Sequence, residues 1–194
     1  MTGMDTMISI ALGVGLAAAV GFRVFVPLLV ASIAAYTGHL RLDENFAWLG
    51  SLTSMTMLGV AALVEVLAYY VPVVDNLLDT ITTPLALVAG TVVSAAVITD
   101  LPPLIKWSTA IIAGGGVAGI TQGVSTLLRA KSTAFTGGLG NPIVSTVEWI
   151  ASATVAVLAL VAPALALALI VLFCWLTVRL VRRHVRATVK TPAS

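Results

Sequence analysis

The longest apolar run of this 194-residue chain extends from Ile143 to Val181 with little polar interruption. As a single helix it would be about 60 Å long at roughly 1.5 Å per residue, twice the thickness of a bilayer's hydrocarbon core. The run must therefore divide, and Pro163 predicts the boundary because a proline removes a helical hydrogen bond. A chain built from such runs is expected to fold as membrane-spanning helices.

The composition supports this interpretation. Hydrophobic residues make up 59% of the chain, charged residues make up 9%, and the mean hydropathy is +1.10. Because about a quarter of the residues in soluble domains are charged, these values exclude an ordinary soluble domain. A chain of this length holds about six spans of roughly 20 residues. The sequence therefore predicts an all-α, polytopic membrane helix bundle with about six spans.

The limits of the spans follow from glycines, prolines and polar stretches. Gly21 and Pro27 predict a break within the first apolar segment, and the fourth segment is predicted to be broken as well. Thr83 and Pro84 predict an N-cap and a first-turn proline at the start of the third span, as do Asn141 and Pro142 for the fifth. The predicted segments are 7–36, 48–71, 84–99, 104–128, 143–162 and 163–181, with polar loops at 37–45 and 129–140.

Basic residues set the predicted orientation. Half of the ten Lys and Arg residues lie near the C-terminus: Arg179, Arg182, Arg183, Arg186 and Lys190. With six spans and this tail inside, Arg129 and Lys131 also fall inside, whereas Arg41 and Lys106 fall outside, in agreement with the positive-inside rule. Both termini are thus predicted to be cytoplasmic. Asp5, with no Lys or Arg before the first apolar run, argues against a cleaved signal peptide.

Small residues four apart recur in both halves of the chain. They are Gly13, Ala17 and Gly21 in the first segment, and Gly115, Gly119 and Gly123 in the fourth. This spacing lines one helical face and lets another helix approach closely. We predict two three-helix repeats, 1–100 and 101–182, followed by a basic cytoplasmic tail, 183–194. Three spans per repeat would invert the second repeat, as in many transporters, although apolar helices also resemble one another by chance.

Two glutamates lie inside predicted spans in similar surroundings. The sequence around Glu65 is Val-Glu-Val-Leu-Ala, and the sequence around Glu148 is Val-Glu-Trp-Ile-Ala. A carboxylate at membrane depth costs a few kcal/mol and therefore calls for a partner or a function. Arg23 at the predicted break could pair with Glu65, pair with an anionic ligand or reach an interface through its long side chain. Glu148 lies two turns into its predicted helix, so besides a functional role it could snorkel or interact with the helix N-terminus. Glu65 could bind a cation or carry a proton. The structural alternative is a carboxylate neutralised by burial or bonded to a neighbouring hydroxyl.

Arg129 and Asn141 border the predicted glycine-rich loop. The guanidinium and the free amides at the start of the following helix could form an anion site, or Arg129 could be a flanking cytoplasmic charge. The full set of pathway or ligand candidates is Arg23, Glu65, Arg129, Asn141 and Glu148.

The remaining motifs indicate no cofactor and no metal. Gly114-x-Gly116-x-x-Gly119 matches a dinucleotide fingerprint, but it lies in a membrane span and is better explained by helix packing. His39 and His184 lie on opposite sides of the predicted membrane. Asp75 and Asp79 are one turn apart with no further ligands at suitable spacing, and Cys174 has no neighbouring base.

Three stretches of spaced polar residues carry a family resemblance. They are Gly21-Phe22-Arg23-Val24-Phe25-Val26-Pro27-Leu28-Leu29, then Glu65-x6-Pro72-x2-Asp75-x3-Asp79, then Arg129-x11-Asn141-x3-Ser145-x2-Glu148. Over residues 8 to 160 the chain resembles the uncharacterised bacterial membrane family catalogued as domain of unknown function 4126. Tyr69 and Tyr70 stand where that family commonly has an Asp-Lys pair. The resemblance implies a protein of the bacterial inner membrane and no established activity.

The sequence favours a small transporter or channel-like permease with a charged intramembrane pathway. Glu65→Gln is then expected to remove flux and leave folding intact. The alternatives are a non-catalytic scaffold or accessory subunit and, last, an intramembrane lipid-acting enzyme. The expected partners are the lipid bilayer, an unidentified small solute or ion and a second copy of the chain in a homo-oligomer. Nucleic acid is not expected, because a short basic tail without interleaved aromatic residues is a weak signal for it.

Overall fold

The structure, a computed structural model, describes residues 3–69 and 72–189, and the side chains of all of these except 72–79 and 183–189. The described chain is helical and contains no strand. The α-helices are α1 (Gly3–Val20), α2 (Phe25–Tyr36), α3 (Leu52–Ala68), α4 (Pro72–Val97), α5 (Pro103–Thr109), α6 (Gly116–Thr136), α7 (Asn141–Val161) and α8 (Pro163–Val189). A 3₁₀ helix, Glu44–Gly50, precedes α3, and a π-helical turn, Ala110–Gly115, joins α5 to α6.

Five helical stretches of the described chain are long and apolar enough to cross a membrane. A sixth span results if Glu44–Gly50 and α3, which meet at an angle of 65°, are counted together. The chain is therefore a multi-pass membrane protein, and the predicted all-α bundle of about six spans is confirmed. The 3+3 inverted repeat, its boundaries at 100 and 182 and the orientation of the termini stay predictions.

Helix α1 is the centre of the bundle. Its second half is buried on all sides and contacts α4, α7 and α8. In a bilayer, apolar character alone does not bury a helix inside the protein, because lipid tails are equally apolar, and close packing between helices depends on small residues. Small side chains, among them Ala17 and Ala19, let the neighbouring helices approach, and Ala89 of α4 and Ala159 of α7 complete this core. The outward faces of α3 and α8 carry large exposed apolar side chains suited to lipid.

The helix boundaries confirm two of the predicted breaks. The first segment is interrupted between α1 and α2, and Pro163 separates α7 from α8. The fourth segment contains a π-helical turn instead of the predicted break. Helix α5, this turn and α6 are continuous from Pro103 to Thr136. A π-helical turn inserts one extra residue into the helix without ending it.

Three predicted boundaries are wrong. Thr83 and Pro84 do not start a helix, since α4 begins at Pro72 and runs through Pro84. In a bundle, neighbouring helices can compensate for the hydrogen bond that a proline removes. The predicted loop 129–140 is short, because α6 continues to Thr136 before Gly137 and Gly138 adopt positive φ angles. Helix α8 continues to Val189, beyond the predicted end of the sixth segment at 181, and residues 190–194 lie outside the described residues.

An ion pair connects a loop to a helix at the end of the bundle where α1 begins. Lys106 Nζ in α5 lies 2.7 Å from Asp43 Oδ2 in the loop after α2. The backbone N–H of Asp43 donates to the carbonyl of Ala96 in α4 at 2.8 Å. This loop is therefore tied to both α4 and α5.

Candidate functional site

Three charged side chains from three parts of the chain meet inside the bundle. Arg23 lies in the break after α1, Arg129 lies in α6 and Glu148 lies in α7. Arg23 Nη2 lies 3.0 Å from Glu148 Oε2. Arg129 Nε donates to Glu148 Oε1 at 3.2 Å, and Arg129 Nη2 pairs with Glu148 Oε2. We call Arg23, Arg129 and Glu148 the charged cluster; its residues are 2–3% exposed.

Two serines contact members of the charged cluster. Ser125 Oγ, one turn before Arg129 in α6, donates to Glu148 Oε1. The carbonyl oxygen of Ser145, one turn before Glu148 in α7, accepts from Arg23 Nη2 at 3.3 Å. Both oxygens of Glu148 are thus hydrogen-bonded by charged or hydroxyl donors, which is the condition for keeping a carboxylate in a low-dielectric interior.

Tyr69 lies between the two guanidinium groups. Its ring centroid is 3.7 Å from Arg23 Cζ and 4.0 Å from Arg129 Cζ. An aromatic face attracts a cation through its quadrupole, and the attraction is strongest where water is excluded. The Tyr69 hydroxyl lies 3.2 Å from Thr82 Oγ1, which also accepts from Gln122 Nε2 at 3.3 Å. The ring is therefore held by a polar chain that links α4 to α6.

Glu65 has a different partner from the one the sequence suggested. Its two carboxylate oxygens accept the backbone N–H groups of Val24 at 2.7 Å and of Phe25 at 2.9 Å. These amides form the positive end of α2, so the carboxylate caps that helix across 40 residues of sequence. The hypothesis that Arg23 neutralises Glu65 is therefore wrong in its pairing, because the described ion pair of Arg23 is with Glu148.

The cap also changes the interpretation of Glu65→Gln. A carboxylate accepts two hydrogen bonds with its two oxygens, whereas a glutamine presents one oxygen and one NH₂ group. The NH₂ group would face a backbone N–H, so two donors would meet. We therefore withdraw the expectation that this substitution leaves folding intact.

Asn141 lies about two turns before Glu148 on the buried polar stripe of α7. It is buried, and its side-chain nitrogen donates to Thr133 Oγ1 at 3.1 Å, which ties the start of α7 to the end of α6. The predicted anion site at this helix start stays a prediction, and the guanidinium of Arg129 contacts Glu148 and the ring of Tyr69. The side chains of Asp75 and Asp79 lie outside the described residues.

Of the five glycines that were predicted to pack against other helices, four have close neighbours in another helix and Gly123 has none among the described residues. A Cβ on Gly13 would lie 3.2 Å from Ser94 Cα, one on Gly115 would lie 2.6 Å from Thr91 Oγ1, and one on Gly119 would lie 2.7 Å from Leu87 Cδ2. These glycines therefore pack against α4. Gly21 packs against α6, where a Cβ would overlap Thr121 Oγ1 and lie 2.5 Å from the Ala118 carbonyl oxygen.

Gly123 departs from this pattern. A Cβ there would meet no described atom within 4 Å, because Gly123 faces an open apolar groove between α6 and α8. Gly114, which the sequence marked only as part of a discounted fingerprint, packs tightly, since a Cβ would lie 2.8 Å from the Gly90 carbonyl oxygen.

Sequence reasoning missed most of the polar partners of the cluster. Tyr69, Thr82, Gln122 and Ser125 were not among the candidates. Helical spacing would have revealed part of the set, since buried polar residues recur three, four and seven positions apart on α6 and α7. These stripes are Gln122, Ser125 and Arg129 on α6, and Asn141, Ser145, Glu148 and Ser152 on α7.

An open cavity, which we call the mouth, lies at the other end of α1. This cavity of about 890 Å³ has polar lining residues that include Asp5, Ser9, His39, Arg41 and Asp100. The charged cluster lies just beyond the last residue of α1. The mouth is at the start of that helix, and an 18-residue helix is about 27 Å long, so the length of α1 separates the two. The fully buried alanines of the second half of α1 lie between the mouth and the cluster. Among the described residues no group of three His, Cys, Asp or Glu side chains could hold a metal ion.

The fold and the site define a class: a small multi-pass membrane bundle with a buried arginine–glutamate cluster beside a broken helix. The family described as domain of unknown function (DUF4126) matches residues 10–183, and the chain belongs to that family. No curated protein and no solved structure matches the chain.

Proposed function

We propose that the protein is a small membrane permease that binds its solute at the charged cluster. The observation that carries this proposal is the meeting of Arg23, Arg129 and Glu148 at the break between α1 and α2. Intramembrane charges are costly and commonly mark solute or ion pathways. Broken helices commonly form the binding sites of transporters, because their free backbone groups and flanking residues can reach a solute there.

The distribution of polar groups supports a transport route that is closed in this conformation. The mouth and the charged cluster lie at opposite ends of α1, and the core between them is built from small side chains. A solute that passes from one to the other requires the helices around α1 to move. The break after α1 and the π-helical turn before α6 are two places where a helix departs from regular geometry, and such places often act as hinges.

A scaffold with a purely structural charge network is the second candidate. It is favoured by the complete hydrogen bonding of Glu148, because a satisfied buried network can fix the register of the helices without any other role. The two functions differ in one respect that can be measured. A permease moves a solute across a bilayer, and a scaffold does not.

The test is flux through liposomes that contain the purified full-length chain. The probes are protons, followed with an entrapped pH dye, potassium, and chloride, followed with a halide-sensitive dye. We expect at least one probe to cross faster than in empty liposomes. Glu148→Gln should lower that flux at least tenfold, whereas Glu44→Gln, which changes an exposed glutamate at the other end of the bundle, should leave it unchanged.

A folding control accompanies the flux measurement. Each variant must elute from size-exclusion chromatography as the native protein does, and Ser125→Ala provides a milder change because it removes one donor to Glu148 and no charge. No flux of any probe, or native flux in Glu148→Gln, would contradict the proposed function and favour the scaffold.

A further inference from the structure

The apolar groove between α6 and α8 lies on the outer surface of the bundle. Its volume is about 660 Å³, and its lining residues include Gly119, Gly123 and Leu127 of α6 and Val178, Val181 and Arg182 of α8. The large apolar side chains among them are exposed. Gly123 has no side chain to fill the space, and a Cβ there would meet no described atom within 4 Å. A groove of this size is within the range of small-molecule sites, about 300–1,000 Å³.

The groove reaches the level at which a span ends. Pro163–Arg182 is a 20-residue apolar stretch of α8 that is long enough to cross a membrane. Pro163 lines the mouth at one end of the bundle, and Arg182 lines the groove at the other end of this stretch. Because the hydrocarbon core is about 30 Å thick, Arg182 lies near the lipid headgroups on the side opposite the mouth. The apolar residues of the groove lie deeper, at the level of the acyl chains.

Two exposed cations lie at this end of the groove. Arg182 is one of its lining residues. Lys131 lies one turn beyond Leu127 and two turns beyond Val124, which both line the groove, so helical spacing places it on the same face of α6. Neither cation has an ion-pair partner among the side chains that the structure describes. Basic residues between spans at a membrane surface attract anionic lipid headgroups.

A second copy of the chain suits this groove less well than a lipid does. A twofold-symmetric contact through the groove would place the same face of both copies together. Lys131 and Arg182 of the two copies would then meet at the same depth, where like charges repel each other. A lipid combines an apolar chain, which matches the groove, with a negative phosphate, which matches the two cations.

We propose that the groove binds one acyl chain of an anionic glycerophospholipid, whose phosphate lies between Lys131 and Arg182. The chain packs against Leu127 and Val181, and the missing side chain of Gly123 leaves room for it. This inference does not rest on the proposed function, because none of the described lining residues of the groove belongs to the charged cluster.

Binding is tested on the full-length, delipidated protein in a neutral detergent by native mass spectrometry, which counts the lipids that stay bound to each copy. The probes are dioleoyl phosphatidylglycerol and dioleoyl phosphatidylcholine, which have the same chains and differ in net charge. We expect one tightly bound phosphatidylglycerol per chain. Its half-saturating concentration should be at least about fivefold below that of phosphatidylcholine, since each nearby Lys or Arg favours an anionic lipid by about this factor.

Lys131→Gln and Arg182→Gln test the headgroup contact. Each should raise the half-saturating concentration of phosphatidylglycerol about fivefold and leave that of phosphatidylcholine unchanged. Arg179→Gln is the matched control, because it removes the same charge one turn earlier in α8. Arg179 does not line the groove, and its Cζ lies over the Trp175 ring, 4.8 Å from the centroid. This variant should bind phosphatidylglycerol as the native protein does.

Gly123→Leu tests the acyl-chain contact. The new side chain extends into the groove, and its Cβ meets no described atom within 4 Å, so the helices stay in place. We expect the half-saturating concentration of phosphatidylglycerol to rise at least about tenfold, because leucine takes the place of several CH₂ groups of the chain. Gly59→Leu makes the same change in α3, where the nearest atom to a Cβ is Leu29 Cδ1 at 4.0 Å, and should bind as the native protein does. Size-exclusion chromatography checks the folding of each variant.

Three results would overturn the inference. The first is an equal half-saturating concentration for the two lipids. The second is phosphatidylglycerol binding that Gly123→Leu leaves unchanged, or that Arg179→Gln weakens as much as Arg182→Gln does. The third is a dimer mass that Gly123→Leu converts to the monomer mass, which would make a second copy the occupant of the groove. None of these results depends on flux, so the lipid site and the permease can fail separately.

Discussion

Arg23 Nη2 lies 3.0 Å from Glu148 Oε2, which joins the break after α1 to the third turn of α7 across 125 residues of sequence. Both side chains are almost completely buried. The attraction within such a pair offsets the loss of hydration only while both partners are present. The pair therefore makes the geometry of the broken helix dependent on the position of α7.

A double-mutant cycle measures this dependence. Glu148→Gln leaves two guanidinium groups facing each other and should lower the free energy of unfolding by about 3–5 kcal/mol. Arg23→Gln leaves Glu148 bonded to Arg129 and should cost about 1–3 kcal/mol. The double variant should cost less than the sum by at least about 1 kcal/mol, measured by denaturant unfolding in detergent. In a control cycle, Arg179→Gln replaces Arg23→Gln, and the two free-energy changes should add. Additive changes in both cycles would contradict the pairing of Arg23 with Glu148.

The cap formed by Glu65 makes a prediction that reverses the expectation from the sequence. Glu65→Gln should lower the free energy of unfolding by about 1–3 kcal/mol, because the new NH₂ group faces the amide of Val24 or of Phe25. Glu44→Gln, at an exposed position, should change it by less than about 0.5 kcal/mol. Thermal unfolding of both variants provides the comparison, and equal melting temperatures for the two would show that Glu65 does not cap α2.

The close approach of Gly21 to α6 is tested by adding a single methyl group. Gly21→Ala should destabilise the protein by about 1–3 kcal/mol, since the methyl group would overlap Thr121 and the Ala118 carbonyl. Gly116→Ala is the matched control, because a Cβ there meets no described atom within 4 Å and alanine favours helix by about 1 kcal/mol. Opposite shifts of the two melting temperatures are expected. A native melting temperature in Gly21→Ala would contradict the packing.

The Asp43–Lys106 pair predicts a pH dependence through Asp43, which lies in a loop outside the spans. The hydrogen bond from Lys106 lowers the pKa of the Asp43 carboxyl below its ordinary value of 3.8. Because the folded-state pKa lies below the unfolded-state pKa, the stabilisation is present above about pH 4 and is lost as the pH falls through the folded-state value. Lys106→Met should therefore lower the melting temperature at pH 7 and have a smaller effect at pH 3. An equal effect at both pH values would exclude this ion pair as its source.

The number of spans and two of the breaks could be predicted because they depend on local sequence. Hydropathy over about 20 residues identifies a span wherever it lies in the bundle. Pro163 and the Gly21–Pro27 stretch change the backbone at their own positions. Pro84 was misjudged for the opposite reason, since whether a proline ends a helix depends on the neighbouring helices, which the local sequence does not describe.

The partners in the site could not be predicted from local sequence. A buried carboxylate requires donors, but nothing around Glu65 indicates that these are backbone amides of α2. The pairing of Arg23 with Glu148 depends on where α7 packs against the end of α1. Helical spacing could have brought Ser125 and Arg129 together, whereas Tyr69 offers no such signal because it follows the end of α3.

The central claim is that solutes reach the charged cluster, and cysteine accessibility tests it most directly. In a Cys174→Ser background, which removes the single native cysteine, Ser125→Cys places a thiol beside Glu148. Ser94→Cys places one in the packed contact of α4 with Gly13 and is the control. We predict that a membrane-impermeant, negatively charged methanethiosulfonate modifies Ser125→Cys in liposomes and leaves Ser94→Cys unmodified. Lack of modification of Ser125→Cys from either side of the membrane would contradict the account.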